Sequence, residues 1–140
     1  MESEYIEKLL EQKYIVVDIL PEQVSANSKG RFFAVEQYFL KEPHITQLHR
    51  KFLNVILKLY CYYSIVAFDP VSECELTDPV PEQLEEWIVG IPHEIYIFIK
   101  EENTLITLAK DDIYMTVYSS ADRIISLTKM LADSEGLFVR

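Results

Sequence analysis

The chain of 140 residues is 49% hydrophobic, enough to bury one core without disulfide staples. Its 23 acids against 13 bases leave a formal charge of −10, a balance that repels nucleic acid and anionic lipid and attracts a basic protein. Three glycines and three histidines, with no His-Glu-x-x-His or Glu-x-x-His spacing, provide no phosphate-cradling loop and no zinc or di-iron set, so neither a cofactor nor a metal is expected.

The opening Met-Glu-Ser-Glu-Tyr lacks the basic start and apolar stretch of a secretory signal, and the longest apolar run, Leu59 to Phe68, is too short to span a bilayer. A soluble cytoplasmic protein with no membrane partner is expected, in which Cys61 and Cys74 stay reduced and Cys61 belongs to the core. Glu2 to Glu11 carries Tyr5, Ile6, Leu9 and Leu10 at helical spacing, and Tyr14 to Leu20 is a β-branched strand closed by Pro21. Asn27 to Gly30 reads as a turn. Arg31 to Leu40 suits a short helix or, from its aromatic density, a strand. A long helix is predicted from about 45 to 63, with Leu48, Phe52, Val55, Ile56, Leu59 and Tyr63 on a stripe wide enough to be buried on most sides. Pro81 to Gly90 is a short helix with proline in its first turn and glycine at its end, presenting Leu84, Trp87 and Ile88.

Residues from about 94 to 118 form an antiparallel meander. Two-residue loops at Glu102-Asn103 and Asp111-Asp112 set Ile99 opposite Ile106, Ile97 opposite Leu108, and Ile106 against Val117. Alternation then gives one aliphatic face and one bearing Tyr96, Phe98, Thr107, Tyr114, Thr116 and Tyr118. Ser119 or Ser120 caps a helix over 120–134, Gly136 ends it, and Leu137 to Val139 returns through that crossover as a parallel strand of the same sheet. The expected fold is a single α+β domain over 1–140, with a mixed four- or five-stranded sheet built on the meander and covered by helices.

Between Lys58 and Lys100 there is no lysine or arginine, while Asp69, Glu73, Glu75, Asp78, Glu82, Glu85, Glu86 and Glu94 all fall there. The acids at 69–78 lack the glycine and third-position ligand of an EF-hand, and no spacing marks an activated nucleophile or a converging pair of carboxylates. Trp87 inside this stretch has the makeup of an interface anchor ringed by charge. A tryptophan docked into its own core, and acids that merely solvate the domain or pair with Arg50, Lys51 and Lys58, are the plainer alternatives. The aromatic sheet face likewise reads as a ligand groove or as a surface covered by helices.

The run Asp111-Asp112-Ile113-Tyr114-Met115-Thr116-Val117-Tyr118, a helix, and the ending Ser134-Glu135-Gly136-Leu137-Phe138-Val139-Arg140 resemble the tail of small uncharacterised bacterial α+β proteins. As an acidic domain of this size without a catalytic motif, the whole is similar to the immunity proteins that neutralise bacterial polymorphic toxins. The resemblance implies a class and assigns no residue. The expected function is non-enzymatic: an immunity- or antitoxin-type inhibitor gripping a basic protein partner through Asp69, Glu73, Glu75, Glu82, Glu85, Glu86 and Trp87. The alternative is a small-molecule sensor or enzyme with an aromatic pocket at Tyr96, Tyr114 and Tyr118.

Overall fold

The computed structural model describes residues 2–140. Five helices, α1 (Ser3–Leu10), α2 (Arg31–Leu40), α3 (His44–Tyr60), α4 (Pro81–Ile88) and α5 (Asp122–Ser134), accompany seven strands. The strands are β1 (Tyr14–Asp18), β2 (Val66–Asp69), β3 (Cys74–Thr77), β4 (Glu94–Ile99), β5 (Thr104–Ala109), β6 (Met115–Tyr118) and β7 (Phe138–Val139). They form one sheet in the order β3-β2-β4-β5-β6-β1-β7, and every neighbouring pair is antiparallel. No helix among the described residues is long and apolar enough to cross a membrane.

The fold is α+β as expected, but the sheet has seven strands rather than four or five and is antiparallel rather than mixed. The two unforeseen strands are β2 and β3. Their hairpin occupies the acidic stretch that reads as a loop, because an edge strand such as Cys-Glu-Leu-Thr carries little apolar signal. The return through α5 does bring β7 into the sheet, and β7 does run in the direction of β6. It does not pair with β6, because β1 lies between them and pairs antiparallel with both, Val17 facing Met115 on one side and Val139 on the other.

The second meander hairpin has the expected register, with Ile106 opposite Val117. The first is displaced by two residues, so that Ile99 faces Thr104, Phe98 faces Leu105 and Ile97 faces Ile106. The connection is four residues long, a 3-10 turn at Lys100–Glu102 followed by Asn103 in the left-handed region at φ 47°. Glu-Asn has no glycine for a tight two-residue turn, whereas asparagine tolerates the left-handed conformation. A slip of two leaves every side chain on its expected face.

One face of the sheet carries Ile95, Ile97, Ile99, Ile106, Leu108, Met115, Val117 and Val17, which pack with α3, α4 and α5 into the main core. Helix α3 starts one residue earlier and ends three earlier than expected. It buries Ile45, Leu48, His49, Phe52, Leu53, Val55, Ile56 and Leu59, each large aliphatic side chain contributing about 1.5–3 kcal/mol of transfer free energy. Cys61, expected in the core, follows the helix as an exposed C-cap. The opposite face is divided. Over β2, β4 and β5, α1 lays Leu9 onto Val66, Phe68, Phe98 and Leu105 and stacks Tyr5 on Phe98 at 6.0 Å. Over β6 and β1 that face is bordered by the 20–28 segment and by Phe32 and Glu36 of α2.

Candidate functional site

Strand parity builds the floor of a cleft on this half-covered face. Tyr14, Val16 and Asp18 alternate along β1 onto one side, and register sets Tyr14 against Tyr118 and Val16 against Thr116 of β6. On the other flank, Arg140 exchanges two backbone hydrogen bonds with Val16, at 2.8 and 3.0 Å, so its side chain joins the same face. The walls come from the 20–28 segment, from Phe32 and Glu36 of α2, and from Ile113 and Tyr114 just ahead of β6. The enclosed volume is about 650 Å³, within the range of small-molecule sites.

Polar and apolar side chains mix in this cleft, and part of the polar set is held in place. Arg140 Nε donates to Asp18 Oδ2 at 3.0 Å, and the Ile19 amide donates to Asp18 Oδ1 at 2.6 Å. The Tyr14 and Tyr118 rings lie 5.6 Å apart at a 51° tilt. Burial, then the neighbouring Tyr14 and Glu94, pushes the Tyr118 hydroxyl above its ordinary pKa. Burial followed by the Asp112 charge does the same for Tyr114. Both hydroxyls therefore keep their protons at neutral pH and can donate. Valine, leucine, isoleucine and phenylalanine supply apolar contact, so the cleft suits a ligand with an apolar body and polar ends.

Tyr114 and Tyr118, both expected in an aromatic pocket, are brought together here. Tyr96 is not among the lining residues. It packs beside α1, 6.4 Å from Phe68 and 6.3 Å from Phe98, and burial, then Glu94, pushes its hydroxyl up to about 12. Tyr96 and Tyr118 share a face but stand on strands separated by β5; both touch the cluster under α1, and only Tyr118 also lines the cleft. Sequence reasoning missed Tyr14, Asp18, Arg140 and Glu36. Parity within Tyr14–Asp18 was a usable signal for the first two, but nothing local says that β1 sits beside β6.

The acidic residues are dispersed. Asp69 Oδ1 lies 2.7 Å from His93 Nε2 and accepts from the Val71 and Ser72 amides at 2.9 and 3.3 Å, which closes the β2–β3 hairpin. Burial opposes its charge, yet the bonds from His93, Val71 and Ser72 prevail and hold its pKa below the usual value. Glu73 sits in that hairpin turn at φ 58°. Glu75 pairs across from Phe68, on the α1 side of the sheet. Glu82, Glu85 and Glu86 are exposed on α4, which packs on the other side, and Arg50 Nη1 holds Glu85 at 2.8 Å. Lys58 turns away to Glu135 at 2.8 Å. Trp87 is half-buried against the main core. The structure thus brings Glu82, Glu85, Glu86 and Trp87 onto one short helix and separates them from Glu75.

Among the described residues no group of three His, Cys, Asp or Glu side chains is placed to hold a metal ion. Compared with known proteins, the chain matches no family model, no curated protein and no solved structure.

Proposed function

We propose that this is a binding protein whose site is the cleft over β6 and β1, and that it takes a small molecule. The observation that carries the reading is the convergence of Tyr14, Tyr114, Tyr118, Thr116 and the Asp18–Arg140 pair on one hollow of about 650 Å³. A hollow of this size that joins apolar side chains to oriented polar groups can hold a small ligand. The test is thermal unfolding of the protein against fractionated metabolites. A ligand present at 100 times its Kd stabilises by about 2.7 kcal/mol, and the shift disappears in Tyr114→Ala and Tyr118→Ala. A shift that persists in both variants, or no stabilising fraction at all, counts against the cleft.

A second reading keeps an inhibitor of the immunity type, bound to a basic protein partner in the cytoplasm. Among the described residues, six of the eight acids between Lys58 and Lys100 make no ion pair, only Asp69 and Glu85 being engaged. Such a surface steers a cationic partner at low salt. The contact would centre on Glu82, Glu85 and Glu86 of α4, where a 230 Å³ hollow also involves Leu53, Leu57 and Pro81. Capture of one basic protein at low salt, lost when those three glutamates become glutamine, would favour this reading over the first.

A further inference from the structure

The charges around the cleft are unequal. Asp18, Glu22 and Glu36 line it, and Arg140 is the single basic residue among the lining groups. Arg140 is already committed to Asp18 at 3.0 Å. Glu22 and Glu36 have no ion-pair partner among the described residues. Asp112, next to the Ile113–Tyr114 wall, registers the same field: burial, then Glu94, Asp111 and Glu36, raise its pKa. An anion entering this hollow would compete with Asp18 for one guanidinium and face two unneutralised carboxylates. A cation would meet those carboxylates and the electron-rich faces of tyrosine rings, an arrangement that attracts ammonium groups. The net charge of −10 adds long-range attraction of the same sign.

We infer that the cleft selects an organic cation, an ammonium or guanidinium group on an apolar body, with Glu36 and Glu22 receiving the charge and Tyr14, Tyr114 and Tyr118 enclosing it. This rests on the small-molecule reading above and gives it a chemical class. Val16, Val24 and Ile113 offer the apolar body its contacts.

The experiment titrates the 15N-labelled full chain with three probes of similar shape and different charge: 2-phenylethylamine, 2-phenylethanol and phenylacetate. The amine is expected to move the amide resonances of Tyr14, Val16, Thr116 and Tyr118 at the lowest concentration. Glu36→Gln should weaken it roughly fivefold, the order of a partly exposed charge pair, and leave the alcohol unaffected. If phenylacetate or the alcohol binds these residues more tightly than the amine, the cation assignment is overturned while the cleft remains a ligand site. If none of the probes moves these amides, or the amine moves those of Glu82, Glu85 and Glu86 equally, both readings fall. A blocked lysine pentapeptide is the fourth arm. Tighter binding of the peptide than of the amine identifies a protein side chain as the occupant and overturns the small-molecule assignment.

Discussion

Arg140 sits beside Val16 and reaches along β1 to Asp18, Nε to Oδ2 at 3.0 Å, and so ties β7 to β1 by a side-chain bond as well as by the strand ladder. The Asp18 side chain is only 9% exposed, whereas that of Arg140 keeps 28%. Removing the guanidinium strands a buried carboxylate. Arg140→Met should therefore cost about 2 kcal/mol, below the loss for breaking a fully buried pair. Urea unfolding of Arg140→Met, Asp18→Asn and the double variant measures it, with the double variant expected to lose less than the two singles combined. Additive losses would mean that the pair is not coupled.

Separating Tyr96 from Tyr114 and Tyr118 gives a second expectation. Tyr96→Phe should leave ligand binding in the cleft unchanged, while Tyr114→Ala and Tyr118→Ala abolish it. Spectroscopic titration of the tyrosines should show one hydroxyl ionising last, near pH 12, and that signal should vanish in Tyr96→Phe. A cleft that loses its ligand in Tyr96→Phe would contradict the placement of this ring beside α1.

His49 is 4% exposed, and its Nδ1 makes no hydrogen bond within the chain. Burial lowers its pKa, and the opposing attraction of Glu42 does not make up the difference. The unfolded chain takes up this proton more readily than the native state does. Stability is therefore full above the unfolded value of about 6.5 and declines as pH falls through it. Chemical unfolding between pH 7 and pH 5 should show that decline, and His49→Leu should flatten it. An unchanged slope in the variant would remove His49 as its source.

Trp87 rests against the main core and is only half-buried, so its truncation acts first on the fold. Trp87→Ala should cost about 2 kcal/mol, somewhat under the loss for a fully buried ring. Neutralising Glu82 and Glu86, both exposed, should change stability by less than about 0.5 kcal/mol. Denaturant curves followed by circular dichroism separate the two classes. A stable Trp87→Ala that loses a protein partner would return the ring to the role of an interface anchor.

Local chemistry made much of the fold readable. The β-branched Tyr14–Asp18 segment, the wide stripe of α3 and the face alternation of the meander are each local patterns, and each is present in the structure. What sequence left hidden was long-range or weakly coded. The β2–β3 hairpin presents one polar edge strand, and the four-residue turn ending at Asn103 has no distinctive pair to announce it. Of the cleft, Tyr114 and Tyr118 were visible as one face of an expected strand, of which the structure keeps Tyr118 in β6 and leaves Tyr114 just ahead of it. Their neighbours Tyr14 and Asp18 were not connected to them, because strand order is set by tertiary packing and not by spacing along the chain.

The placement of β1 has a consequence for how the molecule is made. Both strands that flank it lie about a hundred or more residues further along the chain, so on the ribosome the Tyr14–Asp18 segment waits without a hydrogen-bonding partner until Met115–Val139 has been synthesised. Loop closure over such a distance precedes any reward from pairing, which slows acquisition of the native topology and keeps an apolar strand open to wrong partners in the meantime. The floor of the cleft is consequently assembled only when β1 finds β6 and β7, after the strands between them in sequence have been made.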